Sequence, residues 1–348
     1  MKYAIIKYLN SIAVKKTILM KKSYMLQHQR LTGVVHKSHI GQRLDFTLAK
    51  MFPDYSRTCI KTWIRSGLVI INGRVSVIPK EKILGGETVE MQVTLKEEPC
   101  WKAQNIPLAI IYEDEDILVI NKPCNLVVHT GCGNPDGTIL NALLHYFPPI
   151  ADVPRAGIVH RLDKGTTGLM VVAKTLQAQM HLVESLQARA ITREYEAIAI
   201  GTMTAGGSVR QSIARHATKR THMAIRPMGK PAVTHYRIVE HFRSHTHLRL
   251  RLETGRTHQI RVHMAHINHP LVGDPLYGGR PKPPKGASAA FKDQLHLFYH
   301  QALHAIFLSL FHPITSIEMR WHAPLPKDMA ALIAALKEDA ALFKVPVS

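Results

Sequence analysis

The stretch from Gly157 to Lys164, which reads GIVHRLDK, holds one carboxylate among basic residues. Asp163 follows His160 and Arg161 in a chain whose formal net charge at pH 7 is +20. A strongly basic surface attracts a polyanion, and a carboxylate held against that polyanion could act on it as a nucleophile or as a base. The segment therefore predicts chemistry on a nucleic acid and not only binding of one.

Two further segments could converge on the same place. Residues 193–195, REY, enter an expected strand, and residues 255–263, GRTHQIRVH, lead into an expected helix. Main-chain amides and Arg256 at the beginning of that helix could bind a phosphate, but a phosphate site alone leaves Asp163 unexplained. A buried arginine beside the carboxylate would keep it ionised. For each residue taken alone, a salt bridge that only joins two strands is the structural alternative.

A metal site is the other chemistry to weigh. His258, His263, His266 and His269 fall within twelve residues of the chain. A zinc site needs about three or four converging ligands. No cysteine lies among these histidines, no H-E-x-x-H pattern occurs, and the apolar neighbours indicate that His263 and His266 are packed helix residues. We therefore expect no metal.

The composition favours a folded protein with a polyanionic partner. At roughly 100–200 residues per domain, 348 residues allow two domains and a tail. Lys and Arg outnumber Asp and Glu by 45 to 25, and no acid lies between Glu196 and Glu240, where seven basic residues fall. A protein that is merely basic and soluble would not need so uneven a distribution. We expect binding whose affinity falls steeply with salt.

The cysteines and the apolar runs indicate a cytosolic protein without a membrane span. None of the four cysteines forms a C-x-x-C pair, and a chain of this length does not need disulfides, so we expect reduced thiols. No apolar run approaches the ~18 residues that a span requires. Residues 1–40 form a basic extension, with no acid in the first 44 residues. A later start at Met25, an RNA-binding arm and an organelle transit peptide all remain open.

Residues 41–95 are expected to form a small domain. Leu44, Leu48 and Met51 share one helical face, and a second helix buries Ile60, Trp63 and Ile64. A strand follows, and Asn72-Gly73 turns it into the next one. The exposed face of the second helix carries a basic stripe, and an ordinary solvated helix face is the alternative interpretation. The stripe consists of Arg57, Lys61 and Arg65.

A linker at 96–106 is expected to lead to a catalytic domain at 107–345. Short β-branched runs at 117–120, 169–173 and 195–200 predict strands, and the alternating runs at 235–239 and 248–252 predict half-buried ones. A helix from Leu176 to Ala190 should turn Met180, Val183 and Leu186 inward, and residues 326–343 should form a terminal helix. The expected fold class is α+β, with a mixed and mainly antiparallel sheet.

The longer motifs carry a resemblance. The segments HRLDKGTTGLMVVAKT, REYEAIAIG, ETGRTHQIRVHMAHINHPLVGDPLYGG and QALHA resemble the motifs of the RluA-type pseudouridine synthases, in the order of that family. Two helices followed by a strand pair and an ING turn resemble the S4-type RNA-binding domain. The resemblance runs from about Gly41 to the C-terminal helix, and it is strongest to the bacterial branch that acts on large-subunit ribosomal RNA.

The resemblance implies an enzyme that isomerises uridine in RNA without a cofactor, on a nucleotide flipped out of its helix. By it, Asp163 is the catalytic carboxylate, Tyr195 stacks on the uracil and Arg261 pairs with Asp163. Arg161 would fill the place of the extruded base, and Leu303 would line the pocket. Three residues of the same motifs are expected to contact the RNA: His160, Arg256 and His258.

The implied partner is large-subunit ribosomal RNA or a precursor of the large subunit, with the helix 69 stem-loop as the expected target of a monomeric enzyme. No Rossmann or P-loop pattern occurs in the chain, in agreement with cofactor-free chemistry. Two alternatives from another class remain. One is a ribosome-assembly factor that kept the fold without the activity, and the other is an S4-domain regulator that binds RNA without modifying it.

Overall fold

The computed structural model describes residues 27–95 except 54 and 56, residues 101–279 except 132, and residues 283–343. These residues form two compact units, which divide between Cys100 and Trp101. The part of the basic extension at 1–26 lies outside the described residues, as do residues 96–100 of the expected linker.

The small unit is a four-stranded antiparallel sheet with two helices. Its strands are β1 (Gln27–Val34), β2 (Val69–Ile71), β3 (Arg74–Ser76) and β4 (Thr88–Leu95), in the order β1-β4-β2-β3. Its helices are α1 (Leu44–Met51) and α2 (Arg57–Arg65). The predicted hairpin is confirmed, since Asn72 and Gly73 have φ angles of 49° and 77°, as the two central residues of a type I′ turn require.

The start of the small domain was predicted at residue 41, which is too late. Strand β1 pairs with β4 from Gln27–Leu95 to Val34–Thr88, and Val35 belongs to the buried core with Leu44 and Ile64. Residues 27–40 are therefore part of the domain and not of an extension. The segment QHQRLTGV alternates only weakly, so its place in the sheet depends on a partner strand more than fifty residues away.

The large unit is built on one long sheet, described as nine strands within the residues given above. Strands β5, β6, β7, β14, β8, β13, β12 and β9 follow one another across it, and β15 pairs with β14. All neighbours are antiparallel except β7 and β14, which confirms the mixed, mainly antiparallel α+β fold. The bounds are β5 Ile110–Glu113, β6 Ile117–Lys122, β7 Thr167–Ala173, β8 Thr192–Ile200, β9 Gly207–Arg210, β12 Val233–His241, β13 His245–Leu252, β14 Leu303–Phe311 and β15 Glu318–His322.

Helices and a short ribbon complete the large unit. The ribbon consists of β10 (Ile213–Arg215) and β11 (Met223–Ile225). The helices are α3 (Ile139–Tyr146), α4 (Leu176–Gln187), α5 (Gln259–His266), α6 (Ala289–Leu297) and α7 (Lys327–Leu342).

Alternate residues of β6 enter two different apolar clusters: Leu118 and Ile120 on one face, Ile117 and Val119 on the other. The central strands are thus buried on both faces, which explains their continuous apolar runs.

Helix α4 buries a face that only partly matches the expected one, since Leu186 packs against the buried cluster as predicted but Met180 and Val183 do not lie in it. Ala178 and Leu182 are its buried residues, whereas Met180 is 58% exposed and Val183 is 36% exposed. The helix carries apolar residues on two faces, and the small Ala178 allows a close approach to the sheet. Hydrophobicity alone could not indicate which of the two faces packs.

The described part of the expected linker lies against the large unit. The Gln104 amide donates to the carbonyl of Asn141, and the Asn141 side chain donates to the carbonyl of Lys102. Within the described ranges, the structure has no helix with the length and apolar character needed to cross a membrane.

Candidate active site

Asp163 lies in the turn that leads into β7, and the main chain before it is held in an unusual conformation. Arg155, Ala156 and Gly157 all have left-handed φ angles, of 57°, 49° and 70°. A Cβ atom at position 157 would lie 1.8 Å from the carbonyl oxygen of Ala173, so only glycine fits there. Non-glycine residues with positive φ are costly and cluster at functional sites. The turn is therefore packed directly against β7.

Two buried side chains hold the same turn, and sequence reasoning gave neither this role. The Lys122 ammonium group, 1% exposed, donates to the carbonyls of Lys164, Pro123 and Leu126. Burial lowers the pKa of Lys122 to about 8. The Nε2 atom of His160 accepts the main-chain amide of Val171 at 3.1 Å. Burial and the charge of Arg193 lower the pKa of His160 to about 3.

His160 was predicted to bind RNA, and the geometry gives it another role. Its ring borders the cleft, but its Nε2 lone pair is used inside the protein. Since the ring is neutral near pH 7, it cannot attract a phosphate as a cation. His160 therefore positions the Asp163 turn on β7, and its contact with RNA as a neutral ring stays a prediction.

Asp163 is joined to Arg261 of α5, as the resemblance implied. The Arg261 Nη1 atom donates to Asp163 Oδ2 at 2.9 Å, across 98 positions of sequence. The Asp163 side chain is 15% exposed and the Arg261 side chain 4%. Burial alone would lower the pKa of Arg261, but the hydrogen bonds and charges of Asp274 and Asp163 raise it above its usual value. The carboxylate thus faces a permanent positive charge.

Asp274 is the second partner of Arg261, and sequence reasoning missed it. It is 1% exposed, and its two oxygens accept Arg261 Nε at 2.7 Å and Nη2 at 2.9 Å. Asp274 Oδ1 also accepts the amides of Leu276 and Tyr277. The Arg261 guanidinium lies 5.1 Å from the centre of the Tyr277 ring. The available signal was an acid followed by proline inside the long motif GDPLYGG.

His258 stands beside this ion-pair group at the beginning of α5. Its backbone has a left-handed φ of 56°, and its Nε2 atom lies 3.9 Å from Asp163 Oδ2. Its Nδ1 atom contacts the Tyr277 hydroxyl at 2.9 Å. Burial lowers the pKa of His258, although the charge of Asp163 opposes this. A neutral imidazole therefore borders the carboxylate at neutral pH.

In the loop before α5, the Arg256 amide is used inside the protein and is not available to an anion. The Arg256 amide donates to Gln259 Oε1 at 3.0 Å, and the Arg256 side chain donates to the carbonyl of Pro231. Gln259 also accepts from Thr254 and donates to the carbonyl of Val233. Gln259 thus fixes the loop from inside, which sequence reasoning missed. The exposed Arg256 side chain remains a predicted RNA contact at the cleft.

Tyr195 and Leu303 lie side by side on neighbouring strands. In the β8–β14 register Tyr195 pairs with Ala305, and Leu303 pairs with Ala197. Each side chain is 5% exposed, and both line the cleft that contains Asp163. Burial raises the pKa of Tyr195, and of the two nearby charges Arg193 lowers it while Asp163 raises it. The phenol is therefore protonated at neutral pH.

These side chains share one cleft of about 590 Å³. That volume falls within the usual range for small-molecule sites, about 300–1,000 Å³, so the cleft has room for a nucleotide. Its lining is rich in arginine, and Arg161, an exposed member, makes no ion pair within the described ranges. The arginines that line it are Arg155, Arg161, Arg189, Arg193, Arg256 and Arg261.

The histidines considered for a metal site face different partners. His263 contacts the Thr234 hydroxyl and the carbonyl of Gln211, and His269 contacts the carbonyl of Ile200. Among the residues that the structure describes, one group has ligand atoms close enough for a metal: Asp114, Asp116 and His312. Asp114 in that group already accepts two main-chain amides, the Tyr112 hydroxyl and His312.

In the small unit, the basic stripe is partly neutralised by an acid that sequence reasoning missed. Asp45 is fully buried and contacts Arg43 at 3.0 Å, Arg57 at 3.0 Å and Lys61 at 3.5 Å. Burial alone would raise the pKa of Asp45, but the hydrogen bonds from Arg57 and Arg43 lower it. Arg65 makes no ion pair within the described part of the chain and is exposed. Arg57 and Lys61 therefore have a structural partner as well as a solvent-facing side.

Comparisons with known proteins identify the class that this fold and site define. Residues 116–266 match the family model described as RNA pseudouridylate synthase, and residues 42–89 match the S4 domain. The solved structure of human RNA Pseudouridylate Synthase Domain Containing 4 aligns with a TM-score of 0.52 at 25% identity, covering 66% of this chain and 93% of that chain.

Two bacterial relatives are each named ribosomal large subunit pseudouridine synthase D. The protein of Escherichia coli K12 is 69% identical over 90% of this chain and 97% of its own length. That of Haemophilus influenzae is 64% identical over 89% of this chain and 95% of its own length. The chain belongs to the RNA pseudouridylate synthase family and is an RNA pseudouridine synthase with an S4 domain. The resemblance seen in the motifs is confirmed.

Proposed function

We propose that this enzyme isomerises specific uridines in large-subunit ribosomal RNA, in the helix 69 stem-loop, with Asp163 acting on the ribose of a flipped-out nucleotide. The observation that carries the proposal is the buried Asp163–Arg261–Asp274 group on the wall of an arginine-lined cleft, beside Tyr195. The printed names of the two relatives support the choice of RNA. The net charge of +20 agrees with a polyanionic substrate.

The ion-pair group supports a charged carboxylate that is aimed at the sugar. Arg261 is held by two bonds to Asp274, which leaves its Nη1 atom for Asp163. One oxygen of Asp163 is thus fixed, and the side chain keeps a 15% exposed fraction toward the cleft. A preorganised carboxylate of this kind can attack the ribose or remove a proton from it, since it need not reorganise during the reaction.

The overall reaction transfers no group between molecules. The bond between the ribose and N1 of uracil breaks, the base turns, and a bond to C5 forms. The proton on C5 is lost and N1 gains a proton, so atoms and charge balance without a cofactor. Tyr195, protonated because burial raises its pKa, would stack on the uracil. A protonated phenol cannot take the C5 proton for itself, so its hydroxyl would assist only by passing that proton on to solvent. Leu303 would bound the base on the neighbouring strand.

Access to the base requires a flipped nucleotide, because C5 and N1 of a stacked uridine cannot reach a carboxylate inside a cleft. Unstacking costs a few kcal/mol, least for bases that are already unpaired. Arg161, exposed at the cleft and without an ion pair in the described ranges, would fill the vacated place in the RNA. Arg256 at the same cleft would hold the backbone, and the small unit would add contacts through Arg65.

We further propose that the enzyme acts as a monomer in the cytoplasm, on free ribosomal RNA or on a precursor of the large subunit. One copy of the chain supplies all the cleft residues named above, so the proposed reaction needs no residue from a second copy. Equilibrium sedimentation at micromolar concentration should give a mass near 39.0 kDa. A stable dimer would contradict the monomer without affecting the proposed reaction.

A carbodiimide map of ribosomal RNA tests the proposed function. Cells that lack the gene should lose the carbodiimide stops in helix 69, and wild-type protein should restore them. Asp163→Asn should fail to restore them, while Asp293→Asn, a matched change at an exposed position of α6, should succeed. Identical maps with and without the gene would refute the assigned substrate. Restoration by Asp163→Asn would remove Asp163 from the mechanism.

A further inference from the structure

Among the residues that the structure describes, Arg193 is a buried cation without a hydrogen-bond or ion-pair partner. It is 8% exposed at the beginning of β8, it lines the cleft, and its Nε atom has no hydrogen-bond partner. Within the described ranges its guanidinium makes no hydrogen bond and no ion pair. A buried N–H donor without a partner is unfavourable, and such groups in native proteins call for an explanation. The simplest explanation is a ligand that supplies the missing negative charge.

The neighbouring carboxylates are already committed to other cations. Asp163 pairs with Arg261, and Glu253 pairs with Arg189 and His235. The two acids that flank Tyr195 on β8, Glu194 and Glu196, both bind Arg249 on β13. Each of these acids therefore has a cationic partner, and in no case is that partner Arg193. The two acids that line the cleft, Asp163 and Glu253, both have partners of their own, so neither is free to pair with Arg193.

The surroundings of Arg193 keep its guanidinium in the cleft. A Cβ atom at Gly255 would lie 3.0 Å from Arg193 Nη1, so the absence of a side chain at Gly255 leaves room for the guanidinium. His160, another neighbour by its electrostatic effect, is itself fixed by the Val171 amide. The neighbours of Arg193 thus include the main chain at Gly255 and the neutral His160 ring. Neither carries a negative charge that could neutralise the guanidinium.

The position of Arg193 relative to Tyr195 indicates which part of a nucleotide it meets. The two residues are two apart on β8, so their side chains point to the same face and their Cα atoms are separated by about 6.5–7 Å. Suppose that the uracil stacks on Tyr195 and that the ribose contacts Asp163. The next group along the RNA backbone from that ribose would then lie beside Arg193. In RNA that group is a backbone phosphate, the part of the substrate that carries a full negative charge.

We propose that Arg193 binds a backbone phosphate flanking the flipped uridine inside the cleft, so that the site recognises a nucleotide within a chain and not the uridine alone. This inference rests on the proposed function. A guanidinium matches phosphate oxygens with two parallel N–H bonds, which would satisfy the Nε atom. The exposed arginines of the cleft bind the RNA that stays outside the cleft. Arg193 pairs with a phosphate only when the flipped nucleotide has entered the cleft.

The test combines a neutral linkage in the RNA with removal of the arginine. The RNA is the helix 69 stem-loop with one methylphosphonate on the 5′ or the 3′ side of the target uridine. The nucleotide on the 5′ side of the altered linkage carries 2′-deoxyribose for stability, and each reference RNA has the same deoxyribose with an ordinary phosphodiester. For the 3′ linkage that nucleotide is the target uridine itself, so this RNA is used for affinity only, and pseudouridine formation is measured with the 5′ RNA and its reference. The proteins are wild type, Arg193→Met, Arg193→Lys and Arg320→Met. Arg320 is an exposed arginine on β15 that pairs with Glu318 and does not line the cleft.

Affinity is measured by filter binding, and pseudouridine formation by single-turnover chromatography of nucleosides. In the wild type, one methylphosphonate should weaken binding about tenfold or more, the effect of losing a charged hydrogen bond. Arg193→Met should bind the reference RNA more weakly and become insensitive to that same linkage. Arg193→Lys should recover part of the sensitivity, and Arg320→Met should behave as the wild type does.

Three outcomes would overturn the proposal. The first is wild-type affinity that no flanking methylphosphonate changes, a result that needs no variant to fold. The second is a folded Arg193→Met protein that keeps the full penalty at the same linkage. The third is a loss of rate in that variant without loss of affinity, which would place Arg193 on a uracil carbonyl. Failure of the proposed function is recognised separately, because wild type would then form no pseudouridine in the reference RNA while its affinities remain measurable.

Discussion

Asp274→Asn tests whether Asp274 must hold Arg261 in place for Arg261 to orient the Asp163 carboxylate. In the structure Asp274 Oδ1 accepts from Arg261 Nη2, Leu276 N and Tyr277 N, whereas among the described residues Oδ2 accepts from Arg261 Nε alone. An asparagine would keep its oxygen at the site with three donors. Its NH2 group would then face the Arg261 Nε–H, so one hydrogen bond and one negative charge are lost together.

The size of the effect follows from burial. Arg261 is 4% exposed and Asp274 is 1% exposed, and breaking a buried pair by removing one partner costs about 3–5 kcal/mol. For a unit of this size, about 2–4 °C of melting temperature is lost per kcal/mol. The melting temperature should therefore fall by about 6–20 °C. Turnover of the folded protein should fall about 10²-fold, because a displacement of about 1 Å at a catalytic group has that effect.

Thermal unfolding and tritium release from RNA labelled at C5 of uridine measure the two effects. Asp293→Asn, an exposed change of the same chemistry, is the control and should match the wild type in both. In an Arg261→Met background, Asp274→Asn should cost nothing or increase stability, since it then removes a buried charge that has lost its partner. Wild-type melting and turnover in Asp274→Asn, or equal losses in both backgrounds, would refute the reasoning.

Three further predictions concern Asp163, the basic stripe of the small unit and a pair in the large unit, His300 with Asp328. Asp163→Asn should abolish tritium release while filter binding changes by no more than a few-fold, and normal turnover would exclude the carboxylate from the chemistry. Arg65→Ala should lower the salt slope of RNA affinity by about 0.7–0.9 without affecting melting. Arg57→Ala should in addition lower the melting temperature, because a buried carboxylate loses a partner; equal melting of the two variants would contradict this. Burial alone would lower the pKa of His300, but the nearby Cys124 and the hydrogen bond with Asp328 raise it to about 9, above an unfolded value of about 6.5. The stability from this pair is complete below about pH 6.5 and is lost as pH rises through about 9. The melting difference between wild type and Asp328→Asn should therefore be largest near pH 6, and a difference that grows toward pH 10 would show the sign to be wrong.

The sequence by itself was enough for the parts of the fold that depend on neighbours along the chain. Continuous apolar runs predicted strands such as β6 and β7. These strands are buried on both faces, so nearly every position in them carries an apolar residue. The Asn72-Gly73 hairpin was predictable because a tight turn needs left-handed backbone at those two positions. The long motifs were sufficient to identify the family, and with it the expected pairing of Asp163 with Arg261.

The tertiary structure decided which partner each charged or apolar side chain takes. Strand β1, the buried face of α4, the capture of Arg57 by Asp45 and the support of Arg261 by Asp274 all depend on contacts between separated segments. A sequence shows that a charge is present, but burial and distance determine whether it is neutralised. Arg193 is the clearest case, since its lack of a partner in the described ranges is visible only once the acids around it are seen paired elsewhere.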